Sequence, residues 1–496
     1  MPEDVAVHEA QATRRATLGE RRRCNTSVGA VGGLRLPTEN ERNTVRFLMN
    51  ARPVRLLAIA AAVIPLAAWS VQAAPPVPSF TFPVRLGFLN GDDWEPSIAA
   101  DDLGNVFVLW THYVGFGGSS TGDPDPTCPG CPSPHSVLQV SGNGGATFGN
   151  PRALVPTAET RQDDPQIVVD RADGVTVYAA FMLNDKASEY VARSDDSGAH
   201  WTPVLTEDLQ RSTDKDILAA RGGDVYLLYH TQQKIFVSVS HDKGENWSLQ
   251  NPLKTTTNSE LGVSFASGGA VAPDGTVYFA LNGVRRPGQA KGAVNLYVIK
   301  STDGGETWTT HLVDVSQAAP DCGCGGYAYW SAQMALDVGE DGTVYVLWSA
   351  NGTSFTPQRM YFARSTNGAA TWSARREVSN AAQGSNNLFP AIVAGKAGDV
   401  RIAWQDDRKG FDSGGSADAR WNTYYRSSND SGAHWSDEAQ LSAYLPGFGY
   451  KFPEGYLQPY GAYFELDINA TDETVAIWGE GFSWTGPGNI WFARGK

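Results

Sequence analysis

An eight-residue pattern, Ser-x-Asp-x-Gly-x-x-Trp, recurs along the chain and limits its fold more than any other feature. It is intact at Ser194–Trp201, Ser240–Trp247, Ser301–Trp308 and Ser428–Trp435, and altered at Ser141–Phe148 and Ser365–Trp372. Successive copies start 53, 46, 61, 64 and 63 residues apart. A period of that length describes a supersecondary unit stacked on its neighbours, not a lone hairpin. Each position has a task at a tight turn. The Asp carboxylate accepts hydrogen bonds from the turn's own backbone N–H groups, the Gly supplies a positive φ, and the Trp covers the neighbouring sheet. Asp196, Asp242, Asp303 and Asp430, with Asn367 and Asn143 as amide counterparts, are therefore expected to form the fold and not to catalyse. Ala369 stands where other copies carry Gly, which predicts a locally altered turn.

A second repeat lies between the boxes: a Gly-containing turn followed by a β-branched strand. It occurs seven times, at Val106–Trp110, Val175–Ala180, Val225–Tyr229, Val277–Leu281, Val344–Trp348, Val400–Trp404 and Val475–Trp478. Seven strands against six boxes leave one unit without its fourth strand. The segment Ser79–Leu86 reads like the strands that follow boxes, and pairing it beside Ile490–Arg494 closes a ring. An all-β propeller of seven four-stranded blades is the expected architecture, with six blades and one insertion as the alternative. The 53 Gly, 28 Pro and 15 Trp, with only 19% charged residues, suit many short strands and tight turns.

The boxes resemble the Asp-box, or BNR, repeats of the sialidase superfamily, over nearly the whole chain beyond residue 74. In those enzymes an arginine triad holds the substrate carboxylate, a Tyr assisted by a Glu is the nucleophile, and an Asp is the acid/base. The resemblance implies Tyr460 or Tyr463 as nucleophile, Glu260 as its assistant and Asp93 as acid/base. The family's Phe-Arg-Ile-Pro signature is replaced here by Asp93-Trp-Glu-Pro96. The resemblance also places the boxes on the face opposite the active site. Chemistry is then expected on loops leading into first strands and leaving second strands. Those loops gather Asp93, Asp164, Asp406, Glu260 and Tyr460 as candidate catalytic groups. Arg161, Arg211, Arg408, Trp330 and Trp421 are the candidate substrate-binding groups. Carboxylates serve acid/base work and aromatic faces stack on sugars. His112 and His230 share that face but form no metal motif. No metal or cofactor is expected.

The formal net charge is −14, although the first 73 residues carry 10 Arg against 6 Asp and Glu. The body is therefore more acidic than the whole, which argues against a nucleic-acid partner. Residues Leu56–Ala68 form an apolar run after Arg52 and Arg55, followed by Val71-Gln72-Ala73. That layout is a secretory signal peptide, too short to span a membrane. Residues 1–73 are read as leader, with Met49 the expected initiator and 1–48 a start-site artefact; 74–496 are one domain. Export favours disulfides among Cys128, Cys131, Cys322 and Cys324. Three connectivities are open, and a four-thiolate metal site is the alternative. The expected protein is a secreted, periplasmic or cell-surface monomer: a sialidase-like glycoside hydrolase acting on extracellular glycans. The alternative is a non-catalytic propeller that binds a glycan or protein through its loop face.

Overall fold

A computed structural model of the chain describes residues 77–496 apart from 89–90, 115–127, 129, 132, 156–160, 184–187, 209–212, 232–233, 253–262, 285–293, 318–332, 352–356, 411–419, 444–463 and 482–487. The described residues hold 28 strands and no helix. The strands form seven antiparallel four-stranded sheets. Six blades run in chain order from the axis outward: β2–β5 (92–153), β6–β9 (162–208), β10–β13 (213–250), β14–β17 (263–316), β18–β21 (334–377) and β22–β25 (387–440).

The seventh blade takes β26 (Phe464–Ile468), β27 (Thr474–Gly481) and β28 (Gly488–Gly495) from the C-terminus, and β1 (Val84–Leu86) from the other end of the propeller. Val84, Arg85 and Leu86 pair with Phe492, Trp491 and Ile490. Backbone bonds from Ser79 N to Lys496 O (2.7 Å) and Thr81 N to Arg494 O (2.8 Å) extend the seam. The ring therefore closes within one blade, as the two repeats required, and the six-bladed alternative is excluded.

Second strands are buried on both faces, which explains their near-continuous apolar runs. Val106 to Trp110 of β3 are all fully buried, as are Val344 to Trp348 of β19. Their side chains fill separate cores between adjacent blades, such as Trp404 and Tyr424 with Tyr345 and Phe362.

The boxes join third strands to fourth strands and share one hydrogen-bond plan. In Ser194–Trp201 the Ser194 Oγ accepts from Gly198 N (2.8 Å) and donates to Asp196 Oδ1 (2.9 Å). Asp196 Oδ1 in turn accepts from His200 N (2.8 Å). Hydrogen bonds from the His200 backbone and side chain hold the Asp196 carboxyl down at about 2. Side-chain and backbone bonds from Asn246 do the same for Asp242, and those from Thr307 for Asp303. The altered copy at Ser365 is not an altered turn. Ala369 N donates to Ser365 Oγ (2.9 Å) and Thr371 N to Asn367 Oδ1 (3.0 Å), with Ala369 held at φ +64°. An Ala methyl fits there, and the hydrogen bonds offset the left-handed backbone.

Four of the six turns also receive an Arg or Lys from the preceding blade. Arg152 donates to Gly198 O, Arg193 to Lys243 O, Lys300 to Gly368 O and Arg364 to Ser431 O. A Cβ on Gly432 would lie 2.3 Å from the Phe362 ring of the neighbouring blade. Gly432→Ala is therefore expected to destabilise the propeller by about 2–4 kcal/mol through overpacking and left-handed strain. Ala369→Gly, which loses a methyl but relieves strain, should shift stability by less than ~1 kcal/mol. Urea unfolding of both variants checks the contrast.

Candidate functional site

Residues expected on lead-in loops belong instead to first strands, which reach the loop face. Asp92, Asp93 and Glu95 lie in β2 (Asp92–Ala100), Asp163 and Asp164 in β6 (Gln162–Val169), and Asp216 in β10 (Thr213–Arg221). All six are buried. The strands accommodate them through bulges, with register shifts between Trp94 and Ser97 and between Asp163 and Gln166. Glu95 and Asp164 occupy positive φ (55° and 51°), each directly before a proline. Proline is tolerated at a bulge because no ladder N–H is needed there. Phe389-Pro390 repeats the geometry in blade six at φ 50°, so the bulge belongs to the fold. The acids on it belong to blades one and two. Asp163 accepts from Tyr113 Oη across the gap between those blades (3.4 Å).

Asp93 is not a free acid. Its Oδ1 accepts the Trp110 indole N–H (2.7 Å) and lies 2.8 Å from His112 Nδ1. Burial pushes its carboxyl upward, and the bonds to His112 and Trp110 oppose that. His112 Nε2 and Asp93 Oδ2 are buried without hydrogen-bond partners among the described residues. The His112 and His135 rings meet edge to face at 5.6 Å. Asp93 thus fixes a histidine, a role that sequence spacing does not reveal because the two residues lie 19 positions apart.

The blade-six candidates are tied into the protein. Asp406 is clamped by Arg408 Nη2 (2.6 Å) and Nε (2.8 Å) and by the Trp404 indole (3.0 Å). Burial raises its pKa and Arg408 opposes the rise. Arg408 also pairs with Glu438 and lies 3.7 Å over the Tyr424 ring. Asp407 accepts from Asn386 N (2.7 Å) and so holds the connection into blade six. Arg359 is taken up by Glu377 and by the carbonyls of Ala381, Ala382 and Ser385. Trp421 is only 2% exposed, inside the core shared by blades six and seven, and offers no ring face to a ligand. Arg161 is exposed beside β6. Glu260, Tyr460, Tyr463, Arg211, Trp330, Cys322 and Cys324 lie outside the described residues. Cys128 and Cys131 are disulfide-bonded to each other, which removes both from a four-thiolate site and from a bridge across the face.

The family described as BNR repeat-like domain matches residues 93–346. The chain belongs to that family. No curated protein matches it. Among solved structures it is similar to a protein of unknown function from Dyadobacter fermentans, at 14% identity over 85% of this chain and 100% of that one, with a TM-score of 0.49. It is similar to a Trypanosoma rangeli sialidase in complex with sialic acid, at 13% identity over 85% and 59%, TM-score 0.40. It is also similar to the NanB sialidase of Streptococcus pneumoniae, at 12% identity over 84% and 70%, TM-score 0.42. The BNR-repeat resemblance read from the boxes is borne out: this is a BNR-repeat propeller. No helix among its described residues is long and apolar enough to cross a membrane.

The axis of the BNR propeller holds a cavity of about 510 Å³, lined by all seven first strands and reaching the turns at the box face. Glu465 of β26 faces it. Its carboxylate accepts from Ser97 Oγ (2.6 Å), Ile98 N (2.9 Å) and Gln166 Nε2 (2.9 Å), stitching blade seven to blades one and two. Asp467, two residues on, accepts from Ala100 N (2.7 Å). Near the box face Arg171 crosses the ring from blade two to Asp337 of blade five (3.0 Å) and Ala394 O of blade six (3.1 Å). Sequence reading passed over these groups; two acids at alternate positions of a first strand were the available signal. Burial pushes Glu465 up to about 7 and Asp467 up to about 6. A carboxyl raised on folding contributes stability that is complete below its unfolded value and is lost as pH climbs through the folded one. The propeller should accordingly be more stable at pH 5 than at pH 8. Glu465→Gln should flatten that dependence between roughly pH 5 and 8, as read by urea midpoints across pH.

Proposed function

We propose that the chain is an exported glycoside hydrolase acting on extracellular glycans through the loop face of the propeller. The observation that carries this reading is the pair of buried acids on bulged backbone at the loop-face ends of β2 and β6, Glu95 at φ 55° and Asp164 at φ 51°. The left-handed bulge is common to blades one, two and six, and what is particular to blades one and two is the buried acid it carries. Buried acids are the groups that acid/base cleavage of a glycosidic bond requires. The family membership and the Cys128–Cys131 disulfide agree with this reading and with export.

Two-carboxylate chemistry is favoured over arginine-held sialoside chemistry by one feature: Arg408 and Arg359 are saturated by Asp406, Glu438, Glu377 and backbone carbonyls. In the sialoside form of the reading, Tyr460 or Tyr463 with Glu260 would supply the nucleophile, as the resemblance implies.

The test is a panel of reporter glycosides, sialosides included, with wild type and Asp164→Asn. Asn tolerates the left-handed backbone at this position, so the variant should fold. Turnover of at least one glycoside class, reduced by about 100-fold or more in Asp164→Asn, is the expected result. Binding of a glycan without turnover by wild type would replace the hydrolase with a non-catalytic lectin-like propeller.

A further inference from the structure

Four buried tryptophans at equivalent places in second strands each donate an indole N–H to a carboxyl group. Trp110 reaches Asp93 (2.7 Å), Trp348 reaches Asp314 (3.0 Å), Trp404 reaches Asp406 (3.0 Å) and Trp478 reaches Glu480 (2.6 Å). The first three carboxyls have a second, basic neighbour. Asp93 has His112, Asp314 has Arg375 (2.8 Å), and Asp406 has Arg408 (2.6 Å). Glu480 has no basic partner among the described residues.

Its place makes that difference matter. Glu480 sits near the loop-face end of β27, 4% exposed, where the second strand leaves the sheet. Trp404-Gln-Asp406 of blade six and Trp478-Gly-Glu480 of blade seven are matching strand ends, joined directly by Gln405 Nε2 donating to Gly479 O (3.3 Å). One acid of the two is clamped by a guanidinium. The other keeps Oε2 without a hydrogen bond among the described residues. Burial, opposed only by the indole bond, pushes the Glu480 carboxyl well above its ordinary range. Burial beside a single neutral donor favours the protonated form of such a carboxyl group.

On the hydrolase reading above, we infer that Glu480 is the proton donor to the leaving group. The Glu480 Oε–H proton passes to the glycosidic oxygen, and the bond from that oxygen to the anomeric carbon breaks with its electron pair staying on the oxygen. Water supplies the hydroxyl to the anomeric carbon and leaves its other proton on a carboxylate base of the same face. Glu480 ends as a carboxylate and regains a proton from solvent.

Leaving-group dependence tests this role. Glu480→Gln keeps the size of the side chain and an acceptor for the Trp478 indole, but carries no acidic proton. Against glycosides with poor leaving groups its kcat should fall by about 100-fold or more, while aryl glycosides with strongly acidic leaving groups retain near-wild-type rates. Equal losses for both kinds of leaving group, or no loss, would overturn the inference while leaving the hydrolase reading intact. Wild-type protein carrying 13C-labelled Glu carboxyls supplies a measurement independent of any variant's folding. Beside Glu465, which is half-titrated near pH 7, one further Glu signal in its neutral form is expected. If no Glu signal other than that of Glu465 departs from the carboxylate form at pH 7, Glu480 is not the donor. If wild type cleaves no glycoside, the hydrolase reading fails and the donor role with it, whatever the carboxyl signals show.

Discussion

A serine hydroxyl at the centre of each box turn is the interaction on which the rest of the propeller depends. Ser194, Ser240, Ser301 and Ser428 each accept a glycine N–H at 2.8 Å and donate to an aspartate oxygen at 2.8–2.9 Å. One hydroxyl thereby fixes two successive residues in left-handed backbone, as with Ser197 and Gly198. At four of the six turns, carbonyls that this geometry turns outward accept from Arg or Lys of the blade before. A local hydrogen bond thus sets the spacing between sheets, and the spacing sets the cores.

The same geometry separates the two faces chemically. At and near the box turns the acids are answered within the protein, by turn N–H groups at Asp196 and by Arg171 at Asp337, while Asp467 on the axis is raised by burial to about 6. At the loop end several acids are buried faster than they are compensated. Burial raises Asp93 and Asp406 despite His112 and Arg408, and it raises Glu480 with only an indole opposing. Desolvation therefore prevails at these loop-face acids, whereas the donors of the box turns hold Asp196, Asp242 and Asp303 low. Acid/base chemistry needs carboxyl groups whose protonation is set by such differences, which is the physical reason for placing function across from the boxes.

The architecture was legible because its signals are periodic. Six boxes and seven second strands determined the blade count, and Ser79–Leu86 could be assigned to the closing blade by its likeness to post-box strands. Single residues were harder to place. Trp421 reads as a sugar platform in sequence, yet it packs in a core because it lies within the third strand of blade six, β24 (Arg420–Ser428). Asp406 reads as a catalytic acid and Arg408 as a substrate-binding residue, but they satisfy each other two residues apart on one strand. Asp93 was placed at the right end of the propeller, whereas its bond to His112 depends on the register of β2 against β3. Ala369 misled because a side-chain penalty was visible in sequence and the Ser365 hydrogen bond that offsets it was not. Glu465 and Arg171 were missed because their importance arises only when blades distant in sequence meet at the axis.

The boxes hold the fold, and on the proposed hydrolase reading the opposite face carries the chemistry. Replacing Ser194, Ser240 and Ser301 together by Ala, and measuring unfolding free energy and turnover per folded molecule in the same preparation, tests this division most directly. Each substitution strands a buried glycine N–H, so a loss of about 1–3 kcal/mol per site is predicted, with turnover per folded molecule unchanged. Loss of turnover at unchanged stability would contradict the account and return the boxes to the active site.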